Sequence, residues 1–380
     1  MRICIATGGY HRPQETQINF HILNLFGGNT VVMAQEKAED DPYGRQLCTW
    51  SRRNNIAIPR QIAHKVRNFI TYRNMKVPQG SARASIQSFL RAENVDAVLA
   101  EFGTTAVRIA PATVEIGLPT FAYFRGADAS AHLKEPFRAE AYRRLMPHLH
   151  GVFSVSQFLL DNLARHGITH SESHVIPSGV DTALFQPSEK QPGSFLAVGR
   201  FIEKKRPDIT VRSFAKVARE RPEARLEMIG DGPLLDGCRA LAASQGVLDQ
   251  VLFHGRRPHD FVRDRLKCCE VFLQHSVVAP NGDTEGLPTS IQEAMAAGML
   301  VVSTRHAGIP EAVIDGETGF LVEEGDEAGF AECIRHALHL GDGLKSMAAR
   351  ARERAERRFD NRVLIKHLEQ HIFALSRIHR

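Results

Sequence analysis

Two glutamates stand eight positions apart in the run Glu285-Gly-Leu-Pro-Thr-Ser-Ile-Gln-Glu293. Proline suits the first position of a helix, where its missing N–H costs nothing, and the residues from Ile291 to Ala297 form helix well and stop at Gly298. The run reads as a loop that enters a helix at Pro288. An open helix start presents unbonded N–H groups and the positive end of the dipole, a setting that suits a phosphate. Glu285 would stand beside that anion, and Glu293 about 7.5 Å further along the axis at ~1.5 Å per residue. One carboxylate for a sugar, a helix end for a diphosphate and one carboxylate for a ribose make the outline of a nucleotide-sugar site. Spacing alone also fits two solvated helix glutamates, the more ordinary arrangement.

Cations occur at the right kind of place. In Ala197-Val-Gly-Arg-Phe-Ile-Glu-Lys-Lys205-Arg-Pro207 the chain leaves an apolar strand and reaches a helix opened by Pro207. Arg200 and Lys205 there are placed to grip a diphosphate, the alternative being two surface bases. Thr7-Gly8-Gly9, after the first strand, reads as a tight turn at which backbone approaches a ligand. Ile229-Gly-Asp-Gly-Pro233 is another sharp turn, feeding a helix at Pro233.

These residues need strands and helices to hold them. Short apolar runs at 3–6, 30–34, 97–100, 120–123 and 151–155 read as strands, with helices at 14–25, 60–72, 82–92 and 157–166. In the second half strands are expected at 195–198, 225–229, 251–254, 271–274 and 300–303, with helices at 207–219, 233–244, 258–267, 288–297 and 328–339. Strand and helix alternate throughout, the pattern of parallel sheets covered by helices. The expected fold is α/β, with two doubly wound domains whose strand carboxyl ends face a central cleft. The turn-rich segment 175–187 marks the junction, giving domains at 1–178 and 179–355. A charged helical tail, 356–380, is expected to pack back on the first domain.

At 380 residues the chain is long enough for two domains that each bury a core. Hydrophobic residues make up 43% and charged residues 24%, and no apolar run reaches the ~18–20 residues of a membrane span. The N-terminal residues Met1-Arg-Ile-Cys-Ile-Ala-Thr-Gly-Gly9 read as a first strand, too short in apolar length for a leader peptide. Cys4, Cys48, Cys238, Cys268, Cys269 and Cys333 show no CxxC spacing, which fits free thiols in a reducing compartment and no zinc site. A cytoplasmic protein is expected.

The net charge of +5 is unevenly spread. From Pro42 to Ala92 there is no Asp or Glu, while Arg45, Arg52, Arg53, Arg60, Lys65, Arg67, Arg73, Lys76, Arg83 and Arg91 all fall there. Ile62, Val66, Phe69 and Ile70 recur at helical spacing within it. Such a helix binds an anionic membrane surface, a phosphate-bearing acceptor or a nucleic acid, or else turns its apolar stripe to the core.

The second half carries further short motifs in a fixed order. After Val198-Gly-Arg200 with Lys205 come Ile229-Gly-Asp-Gly-Pro-Leu234, Phe253-His-Gly255, Glu285 to Glu293, Glu293-Ala-Met-Ala-Ala-Gly298, Val301-Val-Ser-Thr304, Gly308-Ile-Pro-Glu311 and Asp315-Gly-Glu-Thr-Gly-Phe320. This series resembles glycosyltransferase family 4, the retaining nucleotide-sugar transferases of GT-B architecture. Ala279-Pro-Asn-Gly-Asp-Thr-Glu-Gly-Leu-Pro288 is most similar to the bacterial exopolysaccharide branch. The likeness spans residues 153–325 and is thinner before that, at 13–18 and 124–130.

By position, the resemblance implies that Arg200 and Lys205 stabilise the departing diphosphate. It puts Glu285 against the donor sugar, the amides near Gly286 and Leu287 on phosphate or sugar, and Glu293 on the ribose hydroxyls. The base would lie near Gly230, Asp231, Gly232 and Arg256, and Gly8 and Gly9 would cap the diphosphate from the first domain. Many members carry His-Gly-x-Asp near the reacting sugar; here the run is Phe124-Arg-Gly-Ala-Asp128, so Arg125 replaces the histidine and Asp128 is kept. Arginine is no base at neutral pH, yet it binds phosphates and acidic sugars. No Asp-x-Asp occurs, and the resemblance implies neither metal nor cofactor, only a nucleotide-sugar donor as substrate.

The partners expected are that donor, a glycan or polyprenyl-diphosphate-linked acceptor and an anionic membrane surface on the inner face, without nucleic acid. A nucleotide-sugar epimerase of the same architecture is the nearer alternative. A basic nucleic-acid-binding module accounts for 42–92 but leaves Glu285, Glu293, Arg200 and Lys205 without a purpose.

Overall fold

The computed structural model describes residues 1–12, 15–36, 43–50 and 58–377, with side chains in the helix that starts at Ile58 described from residue 62 onward. Pro13, Gln14, Arg52, Arg53 and the side chain of Arg60 lie outside the described residues. The chain divides into two compact units, Met1–Pro177 with Ile365–Arg380, and Ser178–Leu364.

In the first unit the strands are β1 (Ile3–Gly9), β2 (Thr30–Glu36), β3 (Leu47–Thr49), β4 (Ala97–Glu101), β5 (Thr120–Phe124), β6 (Gly151–Ser154) and β7 (Ser173–Val175). Its helices are α1 (Thr16–Asn24), α2 (Ile58–Tyr72), α3 (Ser81–Ala92), α4 (Gly103–Val114), α5 (Pro136–Leu145) and α6 (Gln157–Arg165). The strands run β3-β2-β1-β4-β5-β6-β7, all parallel. Helices cover both faces of such a sheet, so its central strands are apolar runs without alternation: Ile3, Cys4, Ile5 and Ala6 are all fully buried. The expected turn at Thr7-Gly8-Gly9 is instead the end of β1, because Gly9 still pairs with Glu36 of β2. Helix α4 buries most of its residues and leaves Thr104, Arg108, Pro111 and Val114 half-buried along one face; with a single charge among them, its amphipathic contrast is weak.

In the second unit the strands are β8 (Gln191–Val198), β9 (Arg225–Ile229), β10 (Val251–Gly255), β11 (Cys269–Leu273), β12 (Leu300–Thr304) and β13 (Gly319–Val322). Helices α7 (Pro207–Ala218), α8 (Leu235–Ser244), α9 (His259–Cys268), α10 (Thr289–Ala296), α11 (Ile309–Ala312), α12 (Glu327–His339) and α13 (Asp342–Arg358) follow, and α14 (Asn361–Arg377) starts here and ends in the first unit. The parallel order β10-β9-β8-β11-β12-β13 repeats the winding of the first sheet. In both sheets the order reverses beside the first strand, so β1/β4 and β8/β11 flank the switch points where such sheets bind ligands. Phe195, Phe214, Leu226, Val271, Val302, Phe330 and Ile334 fill the core between sheet and helices.

Several helix starts differ from the sequence reading. Pro207 opens α7 as expected. Pro288 is instead the residue before α10, its ψ of 124° extended, and the helix begins at Thr289. Helix α8 begins at Leu235, two residues after Pro233, because Leu234 N–H donates to Phe201 O and is drawn into a turn. The C-terminal tail is two helices rather than one. Between them Val180 N–H donates to Phe359 O and Asn361 N–H to Val180 O, which pulls the chain out of the helix at Phe359 and Asp360.

Candidate active site

Three strand ends of the second unit are knitted together by backbone. Gly199 N–H donates to Ile229 O, Phe201 N–H to Asp231 O, and Gly230 N–H to Gly255 O. Gly230 (φ 144°) and Gly232 (φ 151°) lie where side chains rarely go, and a Cβ would sit 1.9 Å from Gly199 O and 2.5 Å from Phe201 O. These glycines allow the turns after β8 and β9 to touch. Asp231 is exposed and accepts from Gly232 N–H, and Arg256, just past β10, is exposed as well.

The turn after β8 sends Lys205 back under it. Gly199 lacks a side chain where the Lys205 stem passes, 3.3 Å from a Cβ it would otherwise carry. Lys205 Nζ reaches 3.2 Å from Glu285 Oε1, in the loop that follows β11. Glu285 is buried and Lys205 is half-buried, with side chains 10% and 15% exposed. Burial lowers the Lys205 pKa, opposed by the charge of Glu285. Burial alone would raise Glu285, but Lys205 and Lys204 outweigh it and hold the carboxyl below its ordinary value. At neutral pH the pair is an ammonium beside a carboxylate. Arg200 stands exposed at the same strand end.

The Glu285 loop is held from several sides. Lys204 Nζ donates to Thr284 O at 3.0 Å and contacts Asp283 Oδ2 at 3.0 Å. His306 Nε2 lies 3.1 Å from Glu285 N, and Gly308 N–H donates to Gly286 O. Gly286 and Leu287 are buried. Helix α10 then begins with no side chain capping its first amides, which leaves an N-terminus suited to an anion. One turn on, Glu293 Oε1 meets His259 Nε2 at 3.1 Å, and that bond raises the His259 pKa.

The first unit brings together Arg125 and Asp128 with partners the sequence did not signal. Arg125 donates through Nε and Nη2 to Glu101 Oε2 at 3.1 and 2.9 Å, and its guanidinium lies 4.0 Å above the Tyr123 ring. Glu101 Oε1 also meets His21 Nδ1 at 2.5 Å. Burial would raise Glu101, yet Arg125 and His21 bring its pKa down to about 2. The Arg125 charge expected to face an acidic sugar is thus committed to a buried carboxylate. Asp128 accepts Arg125 N–H and Gly103 N–H; burial raises its pKa to about 7 against those donors. Gly8 and Gly9 end β1, with the Arg12 guanidinium across Gly9 and 2.8 Å from Glu36.

Residues 182–358 match the family described as Glycosyl transferases group 1, and residues 30–184 match Glycosyltransferase Family 4. The WcaL glycosyltransferase assigned to colanic acid biosynthesis in Escherichia coli (strain K12) is 30% identical over 288 residues, 74% of this chain and 71% of the relative. The chain belongs to glycosyltransferase family 4. An amylovoran biosynthesis glycosyltransferase, AmsK of Erwinia amylovora, is 28% identical over 65% of this chain and 62% of its own length. Among solved structures, Anabaena Alr3699/HepE in complex with UDP matches with a TM-score of 0.78 at 17% identity, covering 98% of this chain and 100% of that one. The lipopolysaccharide outer core galactosyltransferase WaaB matches with a TM-score of 0.71 at 18% identity, over 98% and 99% of the two chains. These likenesses show the fold: two Rossmann-like units of the GT-B kind.

Three features of this glycosyltransferase escaped the sequence reading: Lys204, His306 and the His259–Glu293 contact. Lys204 was overshadowed by its neighbour, and the histidines carry no spacing signal. Three of the four residues in the apolar stripe of α2, left open between core and surface, face outward: Ile62, Val66 and Ile70 are 57%, 53% and 62% exposed. The helix docks through the fourth, Phe69, against Phe137, and through buried Asn68, which donates to Val77 O. No helix among the described residues is long and apolar enough to cross a membrane, and no cluster of potential metal ligands occurs among them.

Proposed function

We propose that this glycosyltransferase moves a hexosyl group from a nucleotide-diphosphate sugar to a glycan or lipid-linked glycan acceptor in surface or exopolysaccharide biosynthesis, with retention at the reacting carbon. It works without metal or cofactor. The observation that carries the reading is the Lys205–Glu285 pair, largely shielded from water, at the β8/β11 switch point beside the uncapped start of α10. As the donor bond breaks, negative charge grows on the diphosphate and positive charge on the sugar ring. Lys205, Arg200 and the amides of Gly286, Leu287 and α10 address the first, and Glu285 the second. Glu293 accepts from the ribose hydroxyls. The departing phosphate takes the acceptor proton on the same face, so no protein nucleophile is required. The UDP and UDP-glucose complexes of Alr3699/HepE support a nucleotide-sugar donor, as the names of WcaL and AmsK support a polysaccharide product.

A thermal-shift screen of UDP-, GDP-, ADP- and CMP-sugars without metal tests this reading. Stabilisation by one nucleotide series, lost in Glu293→Ala, is expected; no stabilisation by any series would count against it.

The acceptor end of the proposal places the enzyme in the cytoplasm against the anionic inner face of a membrane. The outward Ile62, Val66 and Ile70, flanked by Lys65, Arg67 and Arg73 on a segment without carboxylates, support it. Lys65, Arg67 and Arg73 all changed to Glu should abolish binding to phosphatidylglycerol vesicles. Binding that persists unchanged removes the membrane from the proposal.

A further inference from the structure

We propose that His306, held by Glu324, is a positioning residue that aims the Glu285 carboxylate and the adjoining Gly286 and Leu287 amides. The inference rests on the role of Glu285 beside the donor sugar, and it concerns a residue pair outside every motif used to reach that role.

His306 follows β12 and is completely buried. Its Nε2 lies 3.1 Å from Glu285 N, a backbone group that only donates. Nε2 is therefore the acceptor and carries no proton. The ring proton sits on Nδ1, which faces Glu324 Oε1 at 2.6 Å. The two contacts fix one tautomer and one ring orientation, as a carboxylate does for a working histidine elsewhere.

Glu324 does a second thing. Its Oε2 accepts Val278 N–H at 2.9 Å, at the start of the same loop whose end His306 holds. One carboxylate thus ties both ends of the segment from Val278 to Glu285. The turn that carries His306 adds Gly308 N–H to Gly286 O at 3.0 Å, with Ala307 at a positive φ of 49° to bring that amide round. Glu285 and Gly286 are gripped as consecutive residues, the first by its N–H and the second by its carbonyl. The Lys204 bonds hold the segment from the other side, at Asp283 and Thr284. Lys205 meets the Glu285 carboxylate itself, so the carboxylate can keep its 3.2 Å contact only while the peptide before it is held.

A shift of ~1 Å in a reacting group costs about a hundredfold in rate. His306→Leu removes the acceptor without adding bulk; His306→Gln restores an acceptor oxygen; Glu324→Ala removes the support and leaves the ring.

Amide hydrogen exchange reads the clamp without any ligand. Glu285 and its neighbours should exchange at least about tenfold faster in His306→Leu and Glu324→Ala, with His306→Gln nearer the wild type. Unchanged exchange in both would overturn the proposal. Turnover is then measured with whichever of the UDP-, GDP-, ADP- and CMP-sugars stabilises the wild type. His306→Leu should lower kcat by about tenfold or more with little change in KM, and the double variant with Glu285→Gln should be no slower than Glu285→Gln alone. Losses that multiply would mean that His306 acts by another route, and overturn the proposal. Wild-type turnover in Glu285→Gln would sink the sugar-contact role of Glu285 itself, while accelerated exchange would still register the clamp as a structural fact.

Discussion

Lys205 Nζ stands 3.2 Å from Glu285 Oε1, so the cation expected to hold a diphosphate already has an anionic partner. The carboxylate both neutralises Lys205 and repels an arriving phosphate. Glu285→Gln should therefore bind UDP or GDP several-fold more tightly, a gain of about 1 kcal/mol, while transfer falls about a hundredfold. Titration calorimetry and initial rates check the two halves. Weaker diphosphate binding in the variant would show that Glu285 does not oppose the phosphates.

Gly230 tests the knitted turns. A Cβ there would lie 1.9 Å from Gly199 O, with φ at 144°. Gly230→Ala must move backbone at the head of β8 as well as strain its own turn. We expect a loss of more than about 2 kcal/mol in urea unfolding, accompanied by weaker nucleotide binding. A variant of wild-type stability would mean that the two turns separate without cost.

His275 is fully buried, accepts Gly325 N–H through Nε2 and packs on Phe330. Burial, with Arg206 nearby, lowers its pKa to about 4. Between the ordinary value near 6.5 and that lowered one, the unfolded chain takes up a proton that the folded chain refuses. This part of the stability is complete above pH 6.5 and is lost as pH falls through the window, about 2 kcal/mol between pH 7 and pH 5. His275→Gln keeps an acceptor for Gly325 and removes the titration. Denaturant melts at the two pH values should show that much less pH dependence in the variant.

His259 has a raised pKa, first because Glu293 accepts its hydrogen bond. The protonated pair is present at low pH and is lost as pH rises through that raised value. Neutral His259 surrenders Glu293 to a ribose more readily, so nucleotide affinity should improve from pH 6 to pH 8 more steeply in the wild type than in His259→Ala. An NMR titration of His259 should give a midpoint above 6.5 that drops in Glu293→Gln.

Much of the scaffold was legible where physics is local. The strand Arg225–Ile229 and the Pro207 start of α7 follow from apolar runs and proline chemistry, and both were read to the residue. Helix α4 was invisible because its half-buried face, Thr104, Arg108, Pro111 and Val114, carries one charge and so leaves little contrast to reveal a helix. Strands β3 and β7 are three residues each, too short for any pattern. At the candidate site, the types and order of Arg200, Lys205, Glu285 and Glu293 pointed to the region where the structure pairs Lys205 with Glu285. Their partners were not legible, because His306, Glu324 and His259 meet them only through pairing of strands far apart in sequence. Glu101 is the sharpest case: nothing in Glu101 or Arg125 indicates the other until β4 lies beside β5.

The first unit closes only with α14. Leu375 lies against Gly151, and Glu369 Oε1 accepts the N–H of Phe26 at 2.5 Å. During synthesis residues 1–177 emerge without that segment, while the second unit can assemble as soon as residue 364 is clear. Residues 1–177 are thus made well before the segment that completes them, and their apolar seam for α14 stays open until it follows. A stop codon a few turns early would spare the second unit and strand the first as a target for chaperones and proteases.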